Sequence, residues 1–283
     1  MRVLVTGAAG QVGREVVAEC ERAGDDVTAL DRTTVDVTDR DAVLGAITTV
    51  RPHAVIHAAA WTAVDACESD PGRAFAANAL AVRWVAEGCR LAGSHLVTVS
   101  TDYVFDGTKA VPYHEWDLPA PRSVYGASKL GGEREALDGG VAAAVVRTSW
   151  VCGRHGSNMV KTVLRLAAEP GRLRFVHDQI GHPTFAADLA VMLRRLAADR
   201  RTGLHHVTNE GAVSWFEFAG EVLRAAGHDP ARVEPVATAD LQPPRPAPRP
   251  ANSVLDNAVV RAAGLPMLRD FRAPLAELVA ALT

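Results

Sequence analysis

The sequence predicts an α/β fold: a doubly wound parallel sheet of the Rossmann type with a smaller mixed α/β lobe that would bind substrate. Short β-branched apolar runs alternate with stretches of helical periodicity over the first half of the chain. Strands alternating with helices form parallel sheets, because each crossover helix returns the chain to the same edge. Small and polar residues follow several strands, at the edge where such sheets bind ligands.

The first element is a strand over Arg2–Thr6, and a glycine-rich turn and a helix follow it directly. The turn, Gly7 to Gly13, has the spacing G-x-x-G-x-x-G, and Val12, Val16 and Cys20 recur with helical periodicity. Glycines at such a turn let backbone N–H groups approach a pyrophosphate, and the helix N-terminus adds partial positive charge. A glycine pattern alone is a weak signal, and the second strand strengthens it.

The second strand, Val27–Leu30, ends in Asp31 and Arg32, where this fold places the residue that meets the adenosine ribose. Asp31 can accept a hydrogen bond from a 2′-hydroxyl, whereas Arg32 can pair with a 2′-phosphate. The pair therefore predicts NADPH as cofactor and leaves NADH open. The alternative interpretation is that Asp31 and Arg32 are solvent-exposed residues at the end of the strand and do not contact a cofactor.

The remaining elements continue the alternation. The sequence predicts helices over 39–50, 71–92 and from Ser123 onward, and strands over 54–57, 96–101 and 141–147. Beyond Trp150 the periodicity is mixed, with helices expected over 158–168, 186–198, 215–226 and 274–282 and strands over 173–176 and 205–208. We expect a cofactor domain over 1–148 and mainly a substrate lobe over 149–283, with the 186–198 helix returning to the first domain.

Composition limits the classes of function. The chain has 283 residues and a formal net charge of −3, so a nucleic-acid partner is not expected. No apolar run approaches the ~20 residues of a membrane span, and the initial strand leaves no room for a signal peptide. The four cysteines form no CxxC pair, and the ten histidines have no metal-ligand spacing. These features predict a cytoplasmic enzyme without a metal site.

Tyr125 and Lys129 are the most informative pair. Residues four apart on a helix lie on one face, so the Lys129 ammonium can lie near the Tyr125 ring. A neighbouring cation lowers the pKa of a phenol from its ordinary value near ~10 and makes it a usable general acid. Taken alone, the pair is more often an ordinary surface contact. Together with the glycine turn, it predicts redox chemistry on a carbonyl.

The glycine turn with Tyr125 and Lys129 resembles the extended short-chain dehydrogenase/reductase superfamily. More narrowly, five ordered motifs resemble the dTDP-4-dehydrorhamnose reductase family. They are Gly7 to Gly13, Ala58 to Asp65, Ser100 to Gly107, Arg147 to Val151 and Asp178 to Thr184.

That resemblance implies reduction of the C4 keto group of a dTDP-4-keto-6-deoxy sugar, with dTDP-4-dehydro-L-rhamnose as the expected substrate. Tyr125 would donate a proton, Thr101 would hydrogen-bond the same oxygen, and Lys129 would hold the nicotinamide ribose and lower the Tyr125 pKa. The implied cofactor contacts also include Gly7, Gly10, Gln11, Val12, Asp31, Arg32, Asp36, Val37, Ala60, Trp61 and Thr62. The implied substrate contacts are Thr101, Asp102, Trp150, Asn158, Gln179 and Arg249.

Several of these residues have structural alternatives. Asp102 and Asn158 could instead cap a turn or a helix. Arg249 lies in a proline-rich stretch, 242–250, that alone indicates a stiff extended linker or a docking segment for an aromatic groove. By the resemblance, this loop folds against the lobe near the substrate.

Tyr103 separates reduction from elimination. Sugar-nucleotide 4,6-dehydratases have a motif that resembles Thr-Asp-Glu at this position, and the Glu carboxylate removes a proton from the sugar carbon. Here Thr101 and Asp102 precede an aromatic residue, which favours simple reduction. Two alternatives stay open: a reductase for a related deoxysugar, such as a streptose-type precursor, and a non-catalytic cofactor-binding subunit like the partner of methionine adenosyltransferase.

Assembly is expected to be monomeric or weakly dimeric. Some relatives dimerise through carboxylates around a divalent cation, and Glu15 occupies one suitable position. Near Thr184 the chain has Phe185-Ala186-Ala187 where a partner carboxylate would be needed. We therefore expect no metal dependence of assembly.

Overall fold

A computed structural model describes residues 1–283, and its centre is a six-stranded parallel sheet. The inner strands are apolar runs buried on both faces, as parallel sheets require, whereas the edge strand over Asp26–Leu30 is partly exposed. The strands of this sheet are β1 Arg2–Thr6, β2 Asp26–Leu30, β3 Ala54–His57, β4 His95–Thr101, β5 Ala143–Thr148 and β10 Gly203–His206. The short strands of the second half are β6 Val151–Cys152, β7 Leu173–Val176, β8 Ile180–Gly181, β9 Thr184–Phe185, β11 Val213–Ser214 and β12 Val233–Val236.

Helices cover both faces of the sheet and build the lobe. The helices are α1 Gln11–Arg22, α2 Arg40–Val50, α3 Val64–Ser69, α4 Pro71–Phe75, α5 Ala81–Ala92, α6 Val124–Leu137, α7 Met159–Ala167, α8 Ala186–Ala198, α9 Trp215–Ala225, α10 Ala258–Ala262 and α11 Arg272–Leu282. A π-helical turn over Ala76–Leu80 joins α4 to α5, and three-residue 3₁₀ turns begin at Asp102, Pro230 and Thr238.

The strand order places a ligand crevice between β1 and β3. The order across the sheet is β10, β5, β4, β3, β1, β2, so the chain runs outward from β1 in both directions. Ligands of open α/β sheets bind at such a switch point, outside the carboxyl ends of the strands. The predicted doubly wound parallel sheet is confirmed.

Two hydrophobic layers enclose the sheet, and a third cluster fills the lobe. On one face, α8 packs against α1 and the sheet through side chains such as Leu189 and Leu193. On the other face, α2 and α5 pack around Ile47, Leu96 and Val145. The lobe has its own core around Phe218 and Phe271, which joins α7, α9 and α11.

The helical stretch expected over 71–92 is confirmed, with the π-helical turn over Ala76–Leu80 between α4 and α5. A further helix, α3, precedes it. π turns inside helices occur frequently at functional sites, and Asn78 of this turn makes long-range hydrogen bonds that explain the local geometry. The strand expected over 205–208 begins earlier, at Gly203, and adds to the edge of the main sheet beside β5.

No helix of this chain is both long and apolar enough to cross a lipid bilayer. All four cysteines are buried and unpaired.

Candidate active site

The glycine turn after β1 forms a cradle that has room only for glycine. Gly7 has a left-handed φ of 68°, and a Cβ there would lie 2.6 Å from the Ala59 nitrogen. A Cβ on Gly13 would lie 2.1 Å from the Gly7 carbonyl oxygen. Gly10 caps α1 without a side-chain hydrogen bond, and the first turn has no acidic residue. The N-terminus of α1 is thus open to an anion, which fits a dinucleotide pyrophosphate.

A cleft of about 600 Å³ extends from this turn to the ends of β2 and β3. Its volume lies within the usual range for small-molecule and cofactor sites. Eight of the predicted cofactor residues line it, namely Gly7, Gly10, Asp31, Arg32, Asp36, Val37, Ala60 and Trp61. The other lining residues are Ala9, Val35, Thr38, Ala58, Ala59, Arg73, Ala76 and Ala77.

Five predicted cofactor residues do not line the cleft, namely Gln11, Val12, Thr62, Tyr125 and Lys129. Val12 packs against the core, and Thr62 is exposed next to Trp61. Gln11 points to the lobe, where its Nε2 donates to the Val151 carbonyl oxygen at 2.9 Å. The backbone N–H groups of Gln11 and Val12 have no acceptor in the protein. These amides, rather than the side chains, are what the two residues offer to a phosphate.

Asp31 and Arg32 lie at the far end of the cleft. The Asp31 carboxylate accepts from the Thr33 N–H at 2.8 Å and from the Thr33 hydroxyl at 2.6 Å. These bonds lower the Asp31 pKa. Arg32 makes no ion pair and remains available for a phosphate.

Asn78 ties the loop after β3 to the helix that carries Tyr125. Its Oδ1 accepts from the Trp61 N–H at 2.8 Å, and its Nδ2 donates to the Trp61 carbonyl oxygen at 3.1 Å. The same Nδ2 is 3.0 Å from the Ser128 hydroxyl oxygen, which donates to the Tyr125 carbonyl at 2.8 Å. Since Asn78 is fully buried, this network fixes the cleft wall relative to α6.

One hydroxyl and one carboxylate accept hydrogen bonds from the first backbone N–H groups of α6. The Ser123 hydroxyl caps the helix by accepting from the Gly126 N–H, and Glu68 of α3 accepts from the Val124 N–H at 2.8 Å. Gly126 also lets α6 approach the 3₁₀ turn closely, because a Cβ there would lie 2.2 Å from the Tyr103 carbonyl oxygen. The position of Tyr125 therefore depends on the Ser123 cap of α6, on Glu68 of α3 and on the 3₁₀ turn that contains Tyr103.

Tyr125 and Thr101 meet at the carboxyl end of β4. Tyr125 lies in a small cluster with Trp61, Cys67 and Tyr103, and the Tyr103 ring meets it edge-on at 5.7 Å between centroids. Burial raises the pKa of Tyr125 above its ordinary value, and the Thr101 hydroxyl is close enough to hydrogen-bond the phenol. The phenol is therefore protonated at neutral pH, as a proton donor must be.

Lys129 Nζ donates to the Val99 carbonyl oxygen at 2.6 Å. Burial is the largest influence on the pKa of Tyr125 in the protein without cofactor, and the lowering of that pKa expected of Lys129 stays a prediction. Burial also lowers the pKa of Lys129 to about 8, while Glu133 raises it.

Asp102 does not cap a helix. Its carboxylate is 1% exposed, and Oδ1 accepts from the Thr101 hydroxyl at 2.9 Å. Burial raises the pKa of Asp102 to about 6. The side chain is close to Ser253 of the C-terminal loop.

Arg249 is not free to pair with a diphosphate in this structure. Its guanidinium forms a bidentate ion pair with Asp65 of α3, with Nη2 2.7 Å from Oδ2. It also contacts the hydroxyl of Tyr103. The proline-rich loop folds against the first domain through this pair, so a free linker is wrong.

Asn158 and Gln179 hold the lobe together. Asn158 caps α7 by accepting from the Lys161 N–H, and its Nδ2 donates to Gln11 Oε1 at 2.8 Å. Gln179 donates to the Thr238 hydroxyl at 2.9 Å. Both amides thus have protein partners where sugar or diphosphate contacts were expected.

Trp150 stacks on Trp215, which the sequence reading had not singled out. The ring centroids are 3.5 Å apart and the planes differ by 8°. Trp150 has a left-handed φ of 45°, a conformation that a large side chain adopts only when its surroundings hold it. The stack, with Gly181 beneath the Trp150 ring, supplies that support.

Sequence reasoning missed Asn78, Glu68, Arg73 and Trp215. Arg73 lines the cleft with its guanidinium 4.4 Å from the Trp61 ring centroid and has no acidic partner. The one available signal was Asn78, a single amide in an otherwise apolar run over 76–80. No group of three His, Cys, Asp or Glu side chains is arranged to hold a metal ion.

The parallel sheet, the glycine cradle and the buried Tyr125 and Lys129 define an extended short-chain dehydrogenase/reductase. A family model described as the RmlD substrate binding domain matches residues 1–283. The chain belongs to this family, and the resemblance to dTDP-4-dehydrorhamnose reductases is confirmed.

Known relatives match over nearly the whole chain. A dTDP-4-dehydrorhamnose reductase of Streptomyces griseus is 45% identical, covering 98% of this chain and 92% of the relative. A probable dTDP-4,6-dihydroxy-2-methyloxan-3-one 4-ketoreductase of Streptomyces antibioticus is 44% identical, covering 98% and 94%. The crystal structure of dTDP-4-dehydrorhamnose reductase from Bacillus anthracis in complex with NADP is 37% identical, with a TM-score of 0.95 and 99% of each chain covered.

Proposed function

We propose that this protein is an NADPH-dependent reductase of the C4 keto group of a dTDP-4-keto-6-deoxy sugar, with dTDP-4-dehydro-L-rhamnose as substrate and dTDP-L-rhamnose as product. One observation carries the proposal: Tyr125 is buried beside Thr101 at the end of β4, in a chain 45% identical to a dTDP-4-dehydrorhamnose reductase. The site offers a proton donor without a dehydratase carboxylate at position 103.

The cofactor assignment rests on the glycine cradle and on the NADP complex of the Bacillus anthracis relative. The α1 amides would meet the pyrophosphate, Asp31 and Arg32 the adenosine ribose and its 2′-phosphate, and Ala60 and Trp61 the wall of the cleft. NADPH supplies the hydride when bound. Because Asp31 can also accept from a 2′-hydroxyl, NADH is the alternative cofactor.

Tyr125 supplies the proton that balances the hydride. Addition of hydride to the carbonyl carbon leaves negative charge on oxygen, and the Tyr125 O–H proton converts it to the hydroxyl of the product. Donors already aimed at that oxygen stabilise the transition state more than the ground state. Burial excludes water from this proton transfer.

Lys129 acts next to this step as a buried cation. Its ammonium is oriented by the Val99 carbonyl, and the Glu133 carboxylate one turn further along α6 favours its charged form. A charged Lys129 would favour the phenolate left on Tyr125 after proton donation.

The domain division stays a proposal: residues 1–148 hold the cofactor, and 149–283 mainly form the substrate lobe.

A second candidate function is reduction of a related deoxysugar. The 44% identity to the Streptomyces antibioticus ketoreductase supports it, because that relative is named for a different C4 ketone. A non-catalytic cofactor-binding subunit is less well supported, since Tyr125, Lys129 and Thr101 are all retained and buried.

The experiment is NADPH oxidation by the purified protein with dTDP-4-keto-6-deoxyglucose, with and without a 3,5-epimerase, followed by NMR of the product. Turnover that depends on the epimerase and gives dTDP-L-rhamnose is expected. Turnover without the epimerase would favour the related-deoxysugar reductase. Cofactor binding without turnover on any dTDP-4-keto sugar would contradict the proposal.

We also propose a cytoplasmic location, which the four buried, unpaired thiols support. A monomer or weak dimer that does not depend on a metal is proposed for the assembly.

A further inference from the structure

The Thr101 hydroxyl has one hydrogen, and the structure shows where that hydrogen goes. A hydroxyl can donate once and accept twice. Thr101 Oγ1 accepts from the Tyr103 N–H at 3.2 Å and donates to Asp102 Oδ1 at 2.9 Å. With its hydrogen directed to the Asp102 carboxylate, Thr101 cannot donate to a ketone oxygen at the same time.

Asp102 is placed so that protonation reverses this hydrogen bond. Its Oδ1 is 2.9 Å from Thr101 Oγ1, a distance that suits donation in either direction. Oδ2 is buried and accepts no hydrogen bond. Thr101 Oγ1 can accept from both the Tyr103 N–H and a carboxylic acid, which leaves its own hydrogen free.

No charged side chain of a neighbouring element compensates the Asp102 carboxylate. The groups that face it are the Tyr103 phenol from its own turn, the Tyr125 phenol from α6 and the Ser253 hydroxyl from the C-terminal loop. Arg249 is committed to Asp65. A buried carboxylate without a cation is costly, so Asp102 exchanges its proton at a pH that the enzyme can reach.

We propose that Asp102 is a positioning residue whose protonation turns the Thr101 hydroxyl from Asp102 toward the substrate oxygen. In the protonated state, the Asp102 O–H donates to Thr101 Oγ1, and the Thr101 and Tyr125 hydrogens converge on the ketone. In the ionised state, Tyr125 is the only donor. The Asp102 proton is not consumed, because the product hydroxyl takes its proton from Tyr125. This inference rests on the proposed reductase activity.

The test is the pH dependence of the reduction rate at saturating NADPH and dTDP-4-keto sugar, in wild type and Asp102→Asn. The wild-type rate should fall as pH rises through about 6, by about a hundredfold between plateaux, the usual worth of one such donor. Asn is always neutral and can donate its amide to Thr101. Asp102→Asn should therefore show a flat profile between pH 5 and 7.5 and exceed wild type at the upper end.

Asp138→Asn is the matched control, because it makes the same chemical change at an exposed position at the end of α6. It should keep the wild-type profile. Thr101→Val should lose the pH dependence and run at the low wild-type plateau, whereas Thr101→Ser should keep the dependence. Melting temperature and NADPH affinity establish that each variant is folded.

Three results would overturn the inference while leaving the proposed function standing: a flat profile in an active wild type, a wild-type profile in Asp102→Asn, or a folded, NADPH-binding Asp102→Asn that is inactive at every pH. An inactive wild type that reduces no dTDP-4-keto sugar would instead remove the proposed function, and the inference with it.

Discussion

Asn158 and Gln11 join the two ends of the site across 147 residues of sequence. The Asn158 Nδ2 donates to Gln11 Oε1 at 2.8 Å, while Gln11 Nε2 donates to the Val151 carbonyl oxygen at 2.9 Å. Gln11 is the first residue of α1, beside the glycine cradle. The lobe that would hold the sugar is therefore bonded directly to the turn that would hold the pyrophosphate.

Substitution of Asn158 separates its capping role from this bridge. Asn158→Asp keeps the cap of α7 but removes the donor to Gln11, so NADPH affinity should weaken several-fold while unfolding free energy changes little. Asn158→Ala should additionally lose about 1 kcal/mol of stability. Cofactor titration and denaturant unfolding measure the two effects. Equal NADPH affinity in wild type and Asn158→Asp would show that the bridge is unimportant.

Gly126→Ala should displace Tyr125. The added Cβ would lie 2.2 Å from the Tyr103 carbonyl oxygen. Tyr103 and Tyr125, which precedes Gly126 in the chain, both belong to the candidate site. We expect turnover to fall at least tenfold. Gly45→Ala in α2 is the control, because nothing lies within 4 Å of its Cβ. It should keep full turnover and gain up to ~1 kcal/mol of stability. Wild-type turnover in Gly126→Ala would show that the added Cβ does not displace the Tyr125 hydroxyl.

Glu133→Gln should destabilise the fold strongly. Glu133 forms a bidentate pair with Arg147 and accepts from Ser100 at 2.5 Å, and both ionic side chains are 3% exposed. Removing one partner of a buried pair leaves an uncompensated charge and costs about 3–5 kcal/mol. The exposed pair Arg83–Glu135 gives the control, since Glu135→Gln should cost under ~1 kcal/mol. Chemical denaturation that ranks the two variants equally would contradict this account.

Asp102 should also make stability depend on pH. Burial raises its pKa from 3.8 to about 6 in the folded state, so its contribution is complete below pH 3.8 and is lost as pH rises through about 6. The free energy of unfolding of Asp102→Asn, relative to wild type, should therefore increase by about 2 kcal/mol between pH 4 and 7. Urea unfolding at both pH values measures it. A difference that does not vary with pH would show that the carboxylate has its ordinary pKa.

Local patterns predicted the sheet and the glycine turn well. The strands over 2–6 and 54–57 and the helix over 186–198 have the predicted bounds, because apolar periodicity and turn residues decide them. The π turn around Asn78 was not predictable from local periodicity, and its Asn78 side chain hydrogen-bonds Trp61 in the loop after β3. Tertiary contacts of this kind override helical propensity.

Site roles were harder to predict than site membership. Arg249 pairs with Asp65, 184 residues away, and Asn158 pairs with Gln11; no local pattern reports such partners. The pKa values of Tyr125 and Lys129 follow burial, which depends on the packed fold rather than on helical spacing. The residue types were thus sufficient to predict the class of chemistry, but they were insufficient to predict the hydrogen-bond partners.

The most direct test of the central claim is the turnover number of Tyr125→Phe with NADPH and the epimerised dTDP-4-keto sugar. The phenyl ring keeps the packing against Trp61 and Tyr103 and removes only the proton donor. We expect kcat to fall by about a hundredfold or more, with melting temperature and NADPH affinity unchanged. A Tyr125→Phe enzyme that retains near wild-type kcat would contradict the assignment of Tyr125 as the proton donor.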